Sequence, residues 1–159
     1  MLPEVREIFF QTSAIKEFKD PSSKEAFFYK YLGYYLEYYP QLAFVVVDKN
    51  VLGYVVSASE TLVNDLVRIQ PHLELFSHEI KIYPAHLHIN FHASAQGHGF
   101  GRKLIAQVES VLKSHNIEGL HIMTGPDSQN RFFYQKLGFI FQSVKDFQGS
   151  GILFMGKTI

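Results

Sequence analysis

Between residues 85 and 112 the chain changes its hydrophobic period twice, and that change limits its fold more than any other feature. In "AHLHINFH", residues 85–92, Leu87, Ile89 and Phe91 alternate with His86, His88, Asn90 and His92. This is the two-residue repeat of a strand. Then "ASAQGHGFG" places Gly97, Gly99 and Gly101 at alternate positions. Beyond them Leu104, Ile105, Val108, Val111 and Leu112 recur at helical spacing, and the pattern fades near Asn116. Strand, bare turn and amphipathic helix in immediate succession mark a sheet with helices laid on it, an α/β chain.

A backbone without side chains lets N–H groups approach an anion closely, and the helix dipole favours negative charge at that end. Arg102 and Lys103 stand in the first helical turn, where cations oppose the dipole. The placement costs a few tenths of a kcal/mol, roughly, unless an anion offsets it. The turn lacks the Gly-Lys-Ser/Thr ending of a nucleotide P-loop. Its glycines are also spaced differently from a dinucleotide fingerprint and lie past mid-chain.

The other elements are read from local pattern. Val5, Ile8 and Phe9, then Ile15 and Phe18, recur at helical spacing after Pro3 and predict a first helix that Lys19-Asp20-Pro21 breaks. Ser22 and Glu25 have the spacing of a capping box, and Phe27, Phe28, Tyr31, Leu32, Tyr35, Leu36 and Tyr39 follow on one helical face up to Pro40. "LAFVVVDKNVLGYVVSA" predicts a hairpin turning at Asp48-Lys49-Asn50. Residues 60–76 predict a helix with Leu62, Leu66, Ile69 and Leu73 inward, bent or ended by Pro71. "GLHIMT" predicts a strand, residues 127–137 a helix closed by Gly138, and "FIFQSV" and "GILFMGKTI" two final strands.

Composition narrows the function. Fifteen Lys and Arg balance fifteen Asp and Glu, which argues against nucleic acid as the main partner. Absence of cysteine excludes disulfides, zinc–thiolate sites and a thiol nucleophile. Glu4 and Glu7 stand where a signal peptide would carry cations, and the apolar runs are too short to span a bilayer. The expectation is one soluble, cytoplasmic domain over residues 1–159.

Gln96-x-x-Gly99-x-Gly101 after the strand resembles the coenzyme A loop of the GNAT (Gcn5-related) N-acetyltransferases. About thirty residues on, "NRFFYQKLGF" is similar to the family's second signature through Tyr134, Lys136, Leu137, Gly138 and Phe139. "YLEYYPQLAFVVV", "GYVV" and "YPAHLHI" further resemble the acetyltransferase-like C-terminal domain of protein O-GlcNAcases. The resemblance implies the GNAT fold, a mixed sheet flanked by helices, and acetyl transfer from acetyl-CoA to an amine acceptor, small molecule or peptide, by direct attack. It assigns Gln96, Gly97, His98, Gly99, Phe100, Gly101 and Arg102 to the pyrophosphate and the Phe91 main chain to the pantetheine arm. It makes Tyr134 the acid that protonates the leaving thiolate.

The family's second motif often opens with a cofactor-contacting asparagine. Counting back from Gly138 places Asp127 there and Asn130 one turn later, and Asn130 is assigned to the cofactor. For the proton leaving the amine, Glu60 is the candidate base, with His86 and His88 as rivals; a helix N-terminal acid is the structural alternative for Glu60. The family's usual first strand has no counterpart before Pro3, so residues 42–47 should form an edge strand, an apolar liability that points to a homodimer. Two rival functions remain: a non-catalytic acetyl-CoA-binding domain of the same fold, and a metal-binding protein using His86, His88, His92 and His98.

Overall fold

A computed structural model describes every residue, Met1–Ile159. Hydrogen-bonded neighbours form one six-stranded mixed sheet in the order β1-β2-β3-β4-β6-β5. The strands are β1 Ala43–Asp48, β2 Asn50–Ala58, β3 Ala85–Phe91, β4 Gly119–Thr124, β5 Phe141–Phe147 and β6 Ser150–Thr158. Contacts divide the chain into two compact units, each built from two segments: Met1–Ala58 with His88–Val108, and Ser59–Leu87 with Glu109–Ile159.

In the first unit, α1 (Leu2–Thr12) has proline in its first turn and buries Val5, Ile8 and Phe9. It stops short of Ile15 and Phe18, because Ser13 is extended and the Thr12 and Ser13 hydroxyls donate to the carbonyls of Ile8 and Phe9. The Glu4 carboxylate accepts a hydrogen bond from the Val51 N–H at 3.0 Å and so ties α1 to β2. α2 (Pro21–Phe28) begins a step earlier than its sequence suggests. The Asp20 carboxylate, not Ser22, caps it by accepting from the Ser23 N–H at 2.7 Å. Pro21 explains the shift, because it fits the first helical position and has no N–H to satisfy. Glu25 is paired with Arg6 instead.

The aromatic stripe continues through a π-helical turn, Tyr29–Gly33, into α3 (Tyr34–Tyr38). The face expected from spacing is kept: Phe27, Phe28, Tyr31, Leu32, Tyr35, Leu36 and Tyr39 are all buried or half-buried. The wider turn adds Tyr34 to the buried set, and Tyr29 and Tyr38, off that face, are exposed. β1 and β2 then pair antiparallel from Ala43↔Val56 to Asp48↔Asn50 around Lys49. As expected, β1 ends the sheet.

In the second unit the helix expected over residues 60–76 is broken into two shorter pieces. Residues 59–63 are irregular, α4 is Asn64–Ile69, and a 3₁₀ segment, Pro71–Phe76, leads into α5 (Ser77–Ile82). Pro71 accounts for the break, since a residue before proline is driven out of the helical region, and Gln70 has φ −131° and ψ 68°.

α6 (Phe100–Ser114) belongs to both units, and α7 is Asn130–Lys136, three residues shorter at its start than the pattern suggests. β4 pairs antiparallel with β6, and β5 forms a hairpin with β6. Phe76, Phe139 and Phe154 are completely buried, with the Phe76 and Phe154 rings stacked 5.4 Å apart. β3 and β4 pair in parallel over Ala85↔Leu120 and His86↔His121. No helix is long and apolar enough to cross a membrane.

Candidate functional site

β3 is buried over its first three residues and half-exposed over its last four, although strands neighbour it on both sides. A central strand that keeps half its surface leaves room for a ligand. Phe91 ends it, with its ring laid over the bare backbone of β2. A Cβ on Gly53 would come within 2.1 Å of Phe91 Cδ1, so only glycine permits that approach.

After β3 a short turn, Ala93–Ala95, uses the last internal donors before the helix. The Ala95 N–H donates to His92 O at 2.9 Å and the Gln96 N–H to Ala93 O at 3.3 Å. The N–H groups of Gly97, His98, Gly99, Phe100, Gly101 and Arg102 meet no acceptor within the chain. Internal bonding resumes when the Lys103 N–H donates to Gly99 O at 3.3 Å. Gly97 at φ +79° and Gly99 at φ +78° hold the turn open, and nothing lies within 4 Å of where their Cβ atoms would be. His98 steadies the rim: its Nδ1 lies 2.8 Å from Gln96 O and its ring stacks on Phe100 at 6.0 Å. Six consecutive donors at the N-terminus of a fifteen-residue helix, flanked by exposed Arg102 and Lys103, suit a diphosphate in number, direction and sign.

The second unit holds Tyr134, Asn130, Asp127, Glu60 and His86. Tyr134 lies in α7 at 7% exposure, its ring edge-on to Phe139 at 5.6 Å and to Phe133 at 5.2 Å. Burial raises its phenol well above the ordinary value, so it carries its proton throughout the physiological range. Asn130, the first residue of α7, accepts from the Thr124 hydroxyl at 2.9 Å through Oδ1, which orients its amide NH₂ as a donor. Thr124, at the end of β4, was not singled out in the sequence; a hydroxyl closing a strand just before a motif asparagine is the signal that would have found it. Asp127 is exposed and precedes the helix.

Glu60 is exposed in the irregular segment after β2, so no helix N-terminus explains it there. His86 is in the core at 2% exposure, with its ring centroid 4.7 Å from that of His121. His88 is half-exposed against Tyr31 and Tyr35, while His92 and His98 sit on the exposed turn. No three histidine or acidic side chains gather anywhere as a metal site would require, so the four imidazoles do not converge.

Comparison with known proteins agrees with this geometry. The family model of the acetyltransferase (GNAT) domain matches residues 74–158. The crystal structure of SsHAT superimposes with a TM-score of 0.75 at 22% identity, over 98% of this chain and 92% of that one. A ribosomal-protein-alanine N-acetyltransferase from Brucella melitensis gives 0.62 at 17% identity, over 99% and 94%. A phosphinothricin acetyltransferase from Sinorhizobium meliloti, solved in complex with acetyl-CoA, gives 0.62 at 14% identity, over 99% and 83%. At such identities these likenesses speak for the fold.

Proposed function

Because this chain belongs to the GNAT acetyltransferase family, we propose that it transfers an acetyl group from acetyl-CoA to an amine acceptor by direct attack. The observation that carries the reading is the run of unbonded amides from Gly97 to Arg102 at the start of α6. A diphosphate there satisfies donors that no group of the chain reaches, and Arg102 adds charge. The Phe91 main chain holds the pantetheine arm, and the Asn130 amide contributes a donor.

Acetyl-CoA supplies an activated thioester; the protein supplies placement and protons. Tyr134 gives its proton to the departing sulfur. Its raised phenol value keeps the acid form present, so its contribution depends on position rather than on a tuned acidity. The whole chain acts as one catalytic domain in this reading. The acetyltransferase-like domain of protein O-GlcNAcases is the subgroup it resembles in sequence, and self-pairing through β1 makes the protein a homodimer.

Calorimetry with acetyl-CoA, free CoA and NADH, followed by an amine screen that reads thiol release, tests the proposal. Binding of the first two but not the third is expected, with turnover on at least one amine. Tyr134→Phe should lower turnover about 10²-fold or more while leaving acetyl-CoA affinity within twofold. Binding with no turnover on any amine would mark a non-catalytic acetyl-CoA module, and absence of binding would refute both.

A further inference from the structure

We propose that His88 is the group that takes the proton from the acceptor amine, and that Tyr31 and Tyr35 position its imidazole. This rests on the acetyl-transfer reading above and deepens it by naming the base.

Alternation places His86, His88 and Asn90 on one face of β3. Depth separates them. His86 is buried against His121, where no acceptor can reach it. Asn90 donates its amide to the Tyr54 hydroxyl at 2.9 Å and cannot take up a proton at working pH. His88 is the half-exposed imidazole on this face, and imidazole changes charge between about pH 5 and 8.

Two phenol rings meet it nearly at right angles, Tyr31 at 5.7 Å and 86°, Tyr35 at 5.3 Å and 81°. Such edge-to-face contacts restrict how the imidazole can turn. Tyr31 comes from the π-helical turn, a distortion found frequently at functional sites. Other titratable groups around this face are the Lys30 ammonium, 4.9 Å from the Tyr31 ring centroid, and the Tyr54 phenol beyond Asn90. His88 precedes Phe91 by three residues, about 10 Å along the strand, and its imidazole leaves the face opposite to the Phe91 ring, the face that carries Tyr31 and Tyr35. Glu60, the carboxylate candidate, stands exposed in the irregular segment after β2, off this face of β3.

As the carbon–nitrogen bond forms and the carbon–sulfur bond breaks, the acceptor nitrogen releases one proton to a ring nitrogen of His88. The departing sulfur takes one from the Tyr134 phenol. Solvent then removes the first proton and restores the second.

The test measures pH–rate profiles of the wild type, His88→Gln, Glu60→Gln, Tyr31→Leu and Tyr31→Phe with 2-phenylethylamine, spermidine and an Ala-Lys dipeptide, beside acetyl-CoA calorimetry. His88→Gln should lower kcat about 10²-fold, abolish the acid limb between about pH 5 and 8, and leave acetyl-CoA affinity unchanged. Tyr31→Leu should displace that limb and Tyr31→Phe should restore it, which a merely structural role would not produce.

A His88→Gln variant that keeps the limb and kcat within threefold of wild type overturns the assignment, as does loss of the limb in Glu60→Gln alone. Should His88→Gln not fold, the histidine Cε1–H resonances of the wild-type protein with CoA decide the matter. Adding 2-phenylethylamine must move the His88 signal, and an unmoved signal overturns the assignment. Wild-type protein that binds acetyl-CoA but acetylates none of the three amines also overturns it. Failure of the parent reading shows separately, as wild-type protein that binds no acetyl-CoA.

Discussion

Gly99→Ala separates the backbone's role at the turn from its role in stability. Gly99 has φ +78° with nothing within 4 Å of where a Cβ would stand, so alanine meets no clash and bears only the cost of the left-handed backbone. That cost is about 1 kcal/mol. An exposed turn can avoid it by rotating toward negative φ, which swings neighbouring amides away from the ligand. An amide bonded to a charged group contributes about 1.5–3 kcal/mol, so losing one donor should raise the acetyl-CoA Kd about 30-fold.

Gly149→Ala is the matched control: φ +81°, equally open, in the β5–β6 turn. It should lower Tm by about 2–4 °C, as 1 kcal/mol does in a chain of this size, and leave the Kd unchanged. Ligand-free Gly99→Ala should melt no lower than this control. Calorimetry and thermal melts read both quantities. A Gly99→Ala Kd within twofold of wild type, or equal weakening by Gly149→Ala, would refute the amide-cradle reasoning.

Acid should expose the ion pair that braces the second unit. Burial would raise the Glu79 carboxyl, but the Lys145 ammonium at 2.6 Å and the Ser143 hydroxyl at 2.9 Å hold it below the ordinary value. A depressed value stabilises the fold above the unfolded carboxylate's value, about 4.3, and that stability is lost as pH falls through the folded value. Glu79→Gln should therefore cost about 1 kcal/mol at pH 7, allowing for solvent around Lys145. In urea titrations the gap to wild type should close as the pH falls below about 4; a gap independent of pH would count against the pairing. At the sheet edge, Val47 on β1 is 53% exposed. Light scattering at micromolar concentration should give twice the chain mass, and Val47→Lys should halve it; a monomeric wild type would exclude the homodimer.

The elements that announced themselves in sequence are those whose signals are local. The alternation through "AHLHINFH", the glycines of the turn and the spacing Leu104-Ile105-Val108 each lie inside one element and agree with one another. β3 and α6 appear accordingly where the pattern puts them. The hairpin at Lys49 was equally legible, because the turn residues dictate the pairing. The helix over residues 60–76 stops before Pro71, as the proline implies, but its first turn, Glu60 to Val63, stays irregular. Apolar spacing runs through Pro71, but the missing N–H and the restricted Gln70 end α4, and a 3₁₀ segment follows. The π turn at Tyr29–Gly33 had no local signature. With aromatic residues at most positions from Phe27 to Tyr39, the helix can widen by one residue and still bury several of them.

Periodicity states which side of an element a residue occupies, and nothing about how deep it lies. His86 and His88 share a face of β3 and were equal candidates in sequence. Register places His86 opposite His121 on β4, within the core, while His88 meets two tyrosines from a helix over fifty residues earlier in the chain. Both partnerships are non-local, and no pattern within eight residues of strand encodes them. The same reasoning applies to the amides of Gly97 to Arg102. Their availability could be anticipated because a helix start always leaves donors unbonded. Whether a side chain would reach back to cap them depended on neighbours: the bare glycines offer none, and His98 turns its ring nitrogen to Gln96 O instead. A site made of backbone is thus legible in sequence earlier than a site made of side chains, because the geometry of a helix N-terminus is universal and the packing around an imidazole is particular to each chain.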